Sequence, residues 1–160
     1  LQGFARFAQL LRLWEMLMMQ LHIIVRGKIG RSEEGALVDR YLDRISWSTR
    51  ITELADRPDV QPKPCDQSPS KLVMLDEKGK NLSSMDFAKI LGDWRDDGVR
   101  ETRFLIGGAN GFDSQQRAEA DLLIAYGAAT WPHLMARAML AEQLWRATSI
   151  LAGHPYHREG

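Results

Sequence analysis

A chain of 160 residues, 44% hydrophobic and 26% charged, has the composition of a soluble globular domain and the length for one packed core. Its 21 basic and 21 acidic residues cancel, which excludes RNA binding by bulk charge and leaves only local patches for that purpose. One cysteine, Cys65, excludes an intrachain disulfide framework and a thiolate zinc site, and suits a reducing, cytoplasmic setting.

Residues 1–18 are apolar with Arg6 and Arg12 among them, short for a membrane span and followed by no small-residue cleavage site. They read as an N-terminal extension outside the core of a single domain over residues 19–160, with no membrane partner. A helix lying in a membrane interface is the sharper alternative.

Residues 20–26 are rich enough in β-branched side chains to predict a strand. A turn at residues 27–30 leads to Ser32, which caps a helix over residues 33–45 with Glu33 and Glu34 in its positive first turn. Leu37, Tyr41, Leu42 and Ile45 recur at helical spacing and should face a sheet. A second strand over residues 49–55 precedes a surface loop, residues 56–70, that carries four of the six prolines.

A third strand is expected over residues 71–75, ending in a polar turn at 76–80. Ser83 or Ser84 then caps a helix to about residue 95, where Asp96-Asp97-Gly98 stops it. Residues 102–106 form a fourth, apolar strand that empties into Gly107-Gly108-Ala109-Asn110-Gly111. A polar helical stretch, 113–121, separates this turn from a second run of small residues that starts at Tyr126. Pro132 or His133 opens the last helix, which reaches about residue 151 before Gly153. Strands alternating with helices predict an α/β fold with a mostly parallel sheet flanked by helices.

Several chemistries are absent from the sequence. Ile106 stands where a dinucleotide fingerprint needs Gly, and Met74 stands where a phosphate-binding loop ending in Gly79-Lys80 would need one. There is no Gly-x-Ser-x-Gly elbow, and His22, His133, His154 and His157 lack metal-ligand spacing, so no metal is expected. What remains is a pair of small-residue turns at strand ends, where a ligand can reach the backbone. There is also a tail, residues 153–159, rich in His, Tyr and Arg. It is either a solvated terminus or a segment folded over the pocket.

Leu75-Asp76-x-x-Gly79-Lys80, Leu105-Ile106-Gly107-Gly108-x-x-Gly111, the Pro132-His133 helix start and the closing His154-Pro155-Tyr156-His157-Arg158-Glu159 together resemble the RlmH-type SPOUT methyltransferases. The resemblance runs from about Met19 to Glu159. It implies a SPOUT-type α/β knot, in which the C-terminal segment threads a loop as a trefoil, contrary to the usual rule for connections. It implies a homodimer that binds S-adenosyl-L-methionine and methylates N3 of a pseudouridine in 23S ribosomal RNA, on the assembled ribosome.

Carried over residue by residue, the resemblance places the cofactor at Leu75, Gly107, Tyr126, Gly127, Ala128, Ala129, Thr130 and Trp131. It places Arg146, His154, Tyr156, His157 and Arg158 at the RNA-facing pocket, with the four tail residues as the substrate or catalytic set. Arg137, like Arg158, is a candidate phosphate ligand through its planar guanidinium, although Arg146 also stands four residues after Glu142, as in an ordinary helix-surface pair. The family often carries a longer basic helical segment where this chain has its proline-rich loop. A non-catalytic ribosome-binding or RNA-binding module, and a SPOUT methyltransferase acting on transfer RNA, are the alternative readings.

Overall fold

The computed structural model describes residues 2–156. Helix α1 (Gln2–Leu17) comes first, with Phe4, Phe7 and Leu10 exposed. Strand β1 (Gln20–Arg26), helix α2 (Glu33–Leu42) and strand β2 (Thr49–Leu54) follow. Then come β3 (Ser70–Lys80), α3 (Ser84–Asp96), β4 (Glu101–Ile106), α4 (Ser114–Glu119), β5 (Leu122–Ile124) and α5 (His133–Leu151). No helix among the described residues is long and apolar enough to cross a membrane.

The helix starts follow their caps. Ser32 accepts from the Gly35 amide at 3.1 Å, and Ser83, rather than Ser84, accepts from the Asp86 amide at 3.0 Å. Asp113 and Gln116 form a reciprocal capping box that fixes the short α4. Helix α2 stops at Leu42, before the expected residue 45. There Arg44 and Ile45 turn to tighter bonds with the Tyr41 and Leu42 carbonyls.

Five strands make one sheet in the order β2-β1-β4-β3-β5, and every pairing is parallel. The β1–α2–β2 and β3–α3–β4 crossovers step in the same direction across the sheet, which puts α2 and α3 on one face, and α5 packs against both. Leu21, Ile23, Phe104 and Val73 point to that face and meet Phe87, Leu91, Leu140 and Leu144 in the main core. The opposite face is covered by the proline-rich loop. There Val60 and Lys63 accept through their carbonyls from Arg26 at 2.9 Å and Arg103 at 2.8 Å.

That opposite face also buries a polar cluster. His22 Nδ1 lies 2.7 Å from Glu101 Oε1, and its Nε2 lies 2.7 Å from Thr52 Oγ1. Burial, the largest influence, holds His22 below its ordinary value despite the Glu101 hydrogen bond that works to raise it. Cys65 Sγ donates to Glu101 Oε2 at 3.1 Å, and burial pushes its thiol up. Among the described residues, Cys65, Asp66 and Glu101 bring possible metal-ligand atoms within 4.8 Å of one another. Burial and the Glu101 hydrogen bond both favour the protonated thiol as the donor in this cluster.

Two strand features differ from the sequence reading. β5, only three residues long, is a fifth strand where none was expected. β3 runs through the predicted polar turn to Lys80: Leu75 and Lys80 both pair with Ile124, and residues 76–79 swing out between them. Gly79 is required there, because a Cβ would lie 2.6 Å from the Ile124 nitrogen.

Candidate functional site

The C-terminal ends of β3, β4 and β5 open into a cavity of about 470 Å³, roofed by the start of α5. This is where an open parallel sheet places its ligands, and the volume suits a small organic molecule. Leu75, Ile106 and Ile124 give it apolar walls, while the turns after β4 and β5 present backbone. Gly111 and Gly127 take φ of +62° and +85°, a region that favours glycine and so lets both turns close tightly. Trp131 Nε1 donates to the Tyr126 carbonyl at 2.8 Å, and the Gly127 amide donates to Asn81 Oδ1 at 3.0 Å. The second turn is thus stitched to the connection between β3 and α3.

Of the eight residues expected at the cofactor, all but Ala128 line the cavity. Tyr126 contributes its ring; its hydroxyl is buried without a partner among the described residues, and burial drives its ionisation far above the ordinary phenol value. The cavity also takes in residues that the sequence reading did not assign: Asp76, Glu77, Arg117 and His133. Arg117 Nε pairs with Asp76 Oδ2 at 2.8 Å, and the Asp76 side chain is only 3% exposed. The signal available in the sequence was Asp76 itself, the first polar residue after an apolar strand run.

The described part of the tail, residues 153–156, is not folded over this cavity. His154 donates its amide to the Ser149 carbonyl at 2.9 Å, and the chain turns back along α5. The rings of His154 and Tyr156 lie 5.7 and 5.3 Å from the Trp145 ring. Tyr156 donates to Glu142 Oε1 at 3.2 Å, and Arg146 sits with its guanidinium carbon 5.0 Å from the Tyr156 ring centroid. Arg146 also reaches Glu142 Oε1 at 2.6 Å, the helix pair its spacing allowed. The expected substrate residues His157 and Arg158 lie outside the described residues.

Arg137 does not suit the phosphate-binding role expected of it. Its side chain is 1% exposed, pairing with Glu53 Oε2 at 2.9 Å and donating to the Gly27 carbonyl at 3.2 Å. Desolvation works to raise the Glu53 carboxyl, but hydrogen bonds from Arg137 and the Ile29 amide outweigh it and hold the group below its ordinary value. The Arg137 Nε is buried without a partner among the described residues, and at 1% exposure the guanidinium offers solvent no open face for a phosphate.

The sequence that builds this sheet and cavity matches a family model described as predicted SPOUT methyltransferase over residues 19–157. The chain belongs to the SPOUT methyltransferase family. A protein of Rhizorhabdus wittichii named ribosomal RNA large subunit methyltransferase H is 70% identical over 142 residues, which span 89% of this chain and all of the relative. Proteins of the same name from Novosphingobium aromaticivorans and Zymomonas mobilis are 68% and 60% identical over the same shares. Of the two polar clusters described, the cavity is the one that joins strand ends, glycine turns and ionic side chains.

Proposed function

We propose that the chain is an S-adenosylmethionine-dependent enzyme that methylates N3 of a pseudouridine in the 23S RNA of the large ribosomal subunit, acting in the cytoplasm on assembled ribosomes. The carrying observation is the cavity at the ends of β3, β4 and β5, lined by all but one of the expected cofactor residues. The names of the relatives support the substrate class. The catalytic domain in this reading is residues 19–160, with residues 1–18 an extension; the family match begins at residue 19.

The cavity fits the cofactor by chemistry as well as size. Its apolar walls suit an adenine ring, and backbone groups at Gly107 and Gly127 can serve the ring's polar edge. Bound S-adenosylmethionine supplies an electrophilic methyl group, so the protein's own work is positioning and proton handling.

For the proton on N3, the two tail histidines divide. His154 Nδ1 accepts from the Tyr156 amide at 3.2 Å, so the neutral ring carries its proton on Nε2. That makes His154 a donor to a substrate oxygen and leaves His157 as the base. Arg146, with its tail neighbour Tyr156, supplies the RNA-facing charge.

A second copy of the chain completes the site. The cavity takes only the first turn of α5, through His133 and Ala136, whereas the tail packs on Glu142, Trp145 and Arg146. Since Glu142 lies about 9 Å further along the axis than Ala136, a homodimer that sets the tail of one protomer against the cavity of the other brings both halves together. The neutral surface further implies that ribosomal architecture, not bulk charge, presents the RNA.

Transfer of labelled methyl from S-adenosylmethionine tests this reading, with mass spectrometry of the product nucleoside. Ribosomes lacking the modification should yield methyl-pseudouridine, and free ribosomal RNA and transfer RNA should not. Cofactor binding without transfer to any of the three would favour a non-catalytic binding module.

A further inference from the structure

The ionic side chains of the cavity, His133 apart, come from one place: the excursion of β3 facing α4, with Asp76, Glu77 and Arg117. Arg117 is held there by its Nε alone, which donates to Asp76 Oδ2 at 2.8 Å. Its terminal nitrogens Nη1 and Nη2 have no hydrogen-bond partner among the described residues, and the side chain is 22% exposed. Asp76 is itself fixed, because Oδ1 accepts from the Lys78 amide at 2.8 Å. A largely buried ion pair is a poor way to stabilise a fold compared with apolar packing. Here it does something else: it aims the open end of a planar guanidinium while holding the closed end still.

The open end of a guanidinium matches a carboxylate through two parallel N–H···O bonds. Resting on the S-adenosylmethionine reading above, we propose that Arg117 receives the carboxylate of the cofactor's amino-acid moiety. Asp76 is the positioning residue, and the anionic Asp76–Glu77 edge lies beside the ammonium group of the same moiety. The site thereby selects an amino-acid-bearing sulfonium over one that lacks the carboxylate.

Calorimetric titration of the full chain with S-adenosylmethionine and with its decarboxylated form tests this. The unaltered protein should bind the complete cofactor roughly 10- to 100-fold more tightly, the range of a charge-assisted pair. Arg117→Gln should remove that preference by weakening S-adenosylmethionine alone, leaving affinity for the decarboxylated form within about twofold. Asp76→Asn should erode the same preference in part. Equal affinity of the unaltered protein for both ligands overturns the assignment without any variant, as does an equal loss for both in Arg117→Gln. Failure of the unaltered protein to bind S-adenosylmethionine at all would instead overturn the cofactor reading, and this assignment with it.

Discussion

Tyr156 and Arg146 reach the same oxygen, Glu142 Oε1, from the tail and from α5. The carboxylate therefore fastens the described end of the tail to the helix. Burial, reinforced by the Glu142 charge, pushes the Tyr156 phenol up to about 12. Tyr156 then stays protonated and acts as a donor or stacking surface. Tyr156→Phe should lower turnover by releasing the tail while leaving the shape of the rate profile unchanged from about pH 6 to about 9. A lost alkaline limb in that variant would mean that the phenol titrates.

The proposed homodimer, with its site divided between one protomer's cavity and the other's tail, predicts complementation. A tail-deleted chain ending at Ala152 and a chain with the cavity blocked by Gly127→Trp should each be inactive. Mixed and allowed to exchange subunits, they should recover about a quarter of normal turnover, since half the dimers are mixed and each has one complete site. No recovery, with exchange verified by mass, would place tail and cavity of the same chain together.

The His22 cluster predicts a pH dependence of stability. In the unfolded chain His22 takes up a proton near its ordinary value of 6.5; in the folded chain, where Arg50 and Arg103 add to the effect of burial, it does so only at lower pH. Between those two points the unfolded state holds more protons, so stability rises with pH there and is lost as pH falls below 6.5. Urea unfolding at about pH 7.5 and about pH 5.5 should show a loss that is reduced in His22→Gln. An unchanged loss in the variant would assign it to other groups.

Arg137 and Glu53 should respond unequally to substitution. Glu53→Ala strands a cation that is 1% exposed and should cost about 3 kcal/mol or more. Arg137→Met leaves a carboxylate that is 32% exposed and can be rehydrated, at roughly 1 kcal/mol. Chemical denaturation of both variants checks the order. The reverse order would mean that Arg137 acts mainly through packing.

Strong local signals were legible in the sequence. Ser32 and the Ser83–Ser84 pair mark helix starts because capping is a short-range effect, whereas the Asp113–Gln116 box emerged only from the structure. The cavity turns were marked by Gly107, Gly111 and Gly127 near strand ends, but small residues there suit tight helix–strand packing equally well, and the family resemblance decided for a ligand. β5 was not legible, since Leu122–Ile124 has neither length nor alternation and exists only through its pairing with β3. The outward swing of Asp76 and the burial of Arg137 were hidden for a related reason. Both are set by residues far along the chain, Ile124 and Arg117 for the one and Glu53 for the other.

Because β4 lies between β1 and β3, the order of synthesis matters to this protein. The strand that joins the two halves of the sheet, Glu101–Ile106, is the fourth to be made. Until it leaves the exit tunnel, the β1–β2 pair and β3 share no neighbour, and apolar strands such as Leu21–Val25 stay uncovered for most of translation. The nascent chain is then open to aggregation or chaperone capture, as long-range parallel pairing generally allows. Arrest just before residue 101 should leave it protease-sensitive, and arrest late enough to free the last helix should not.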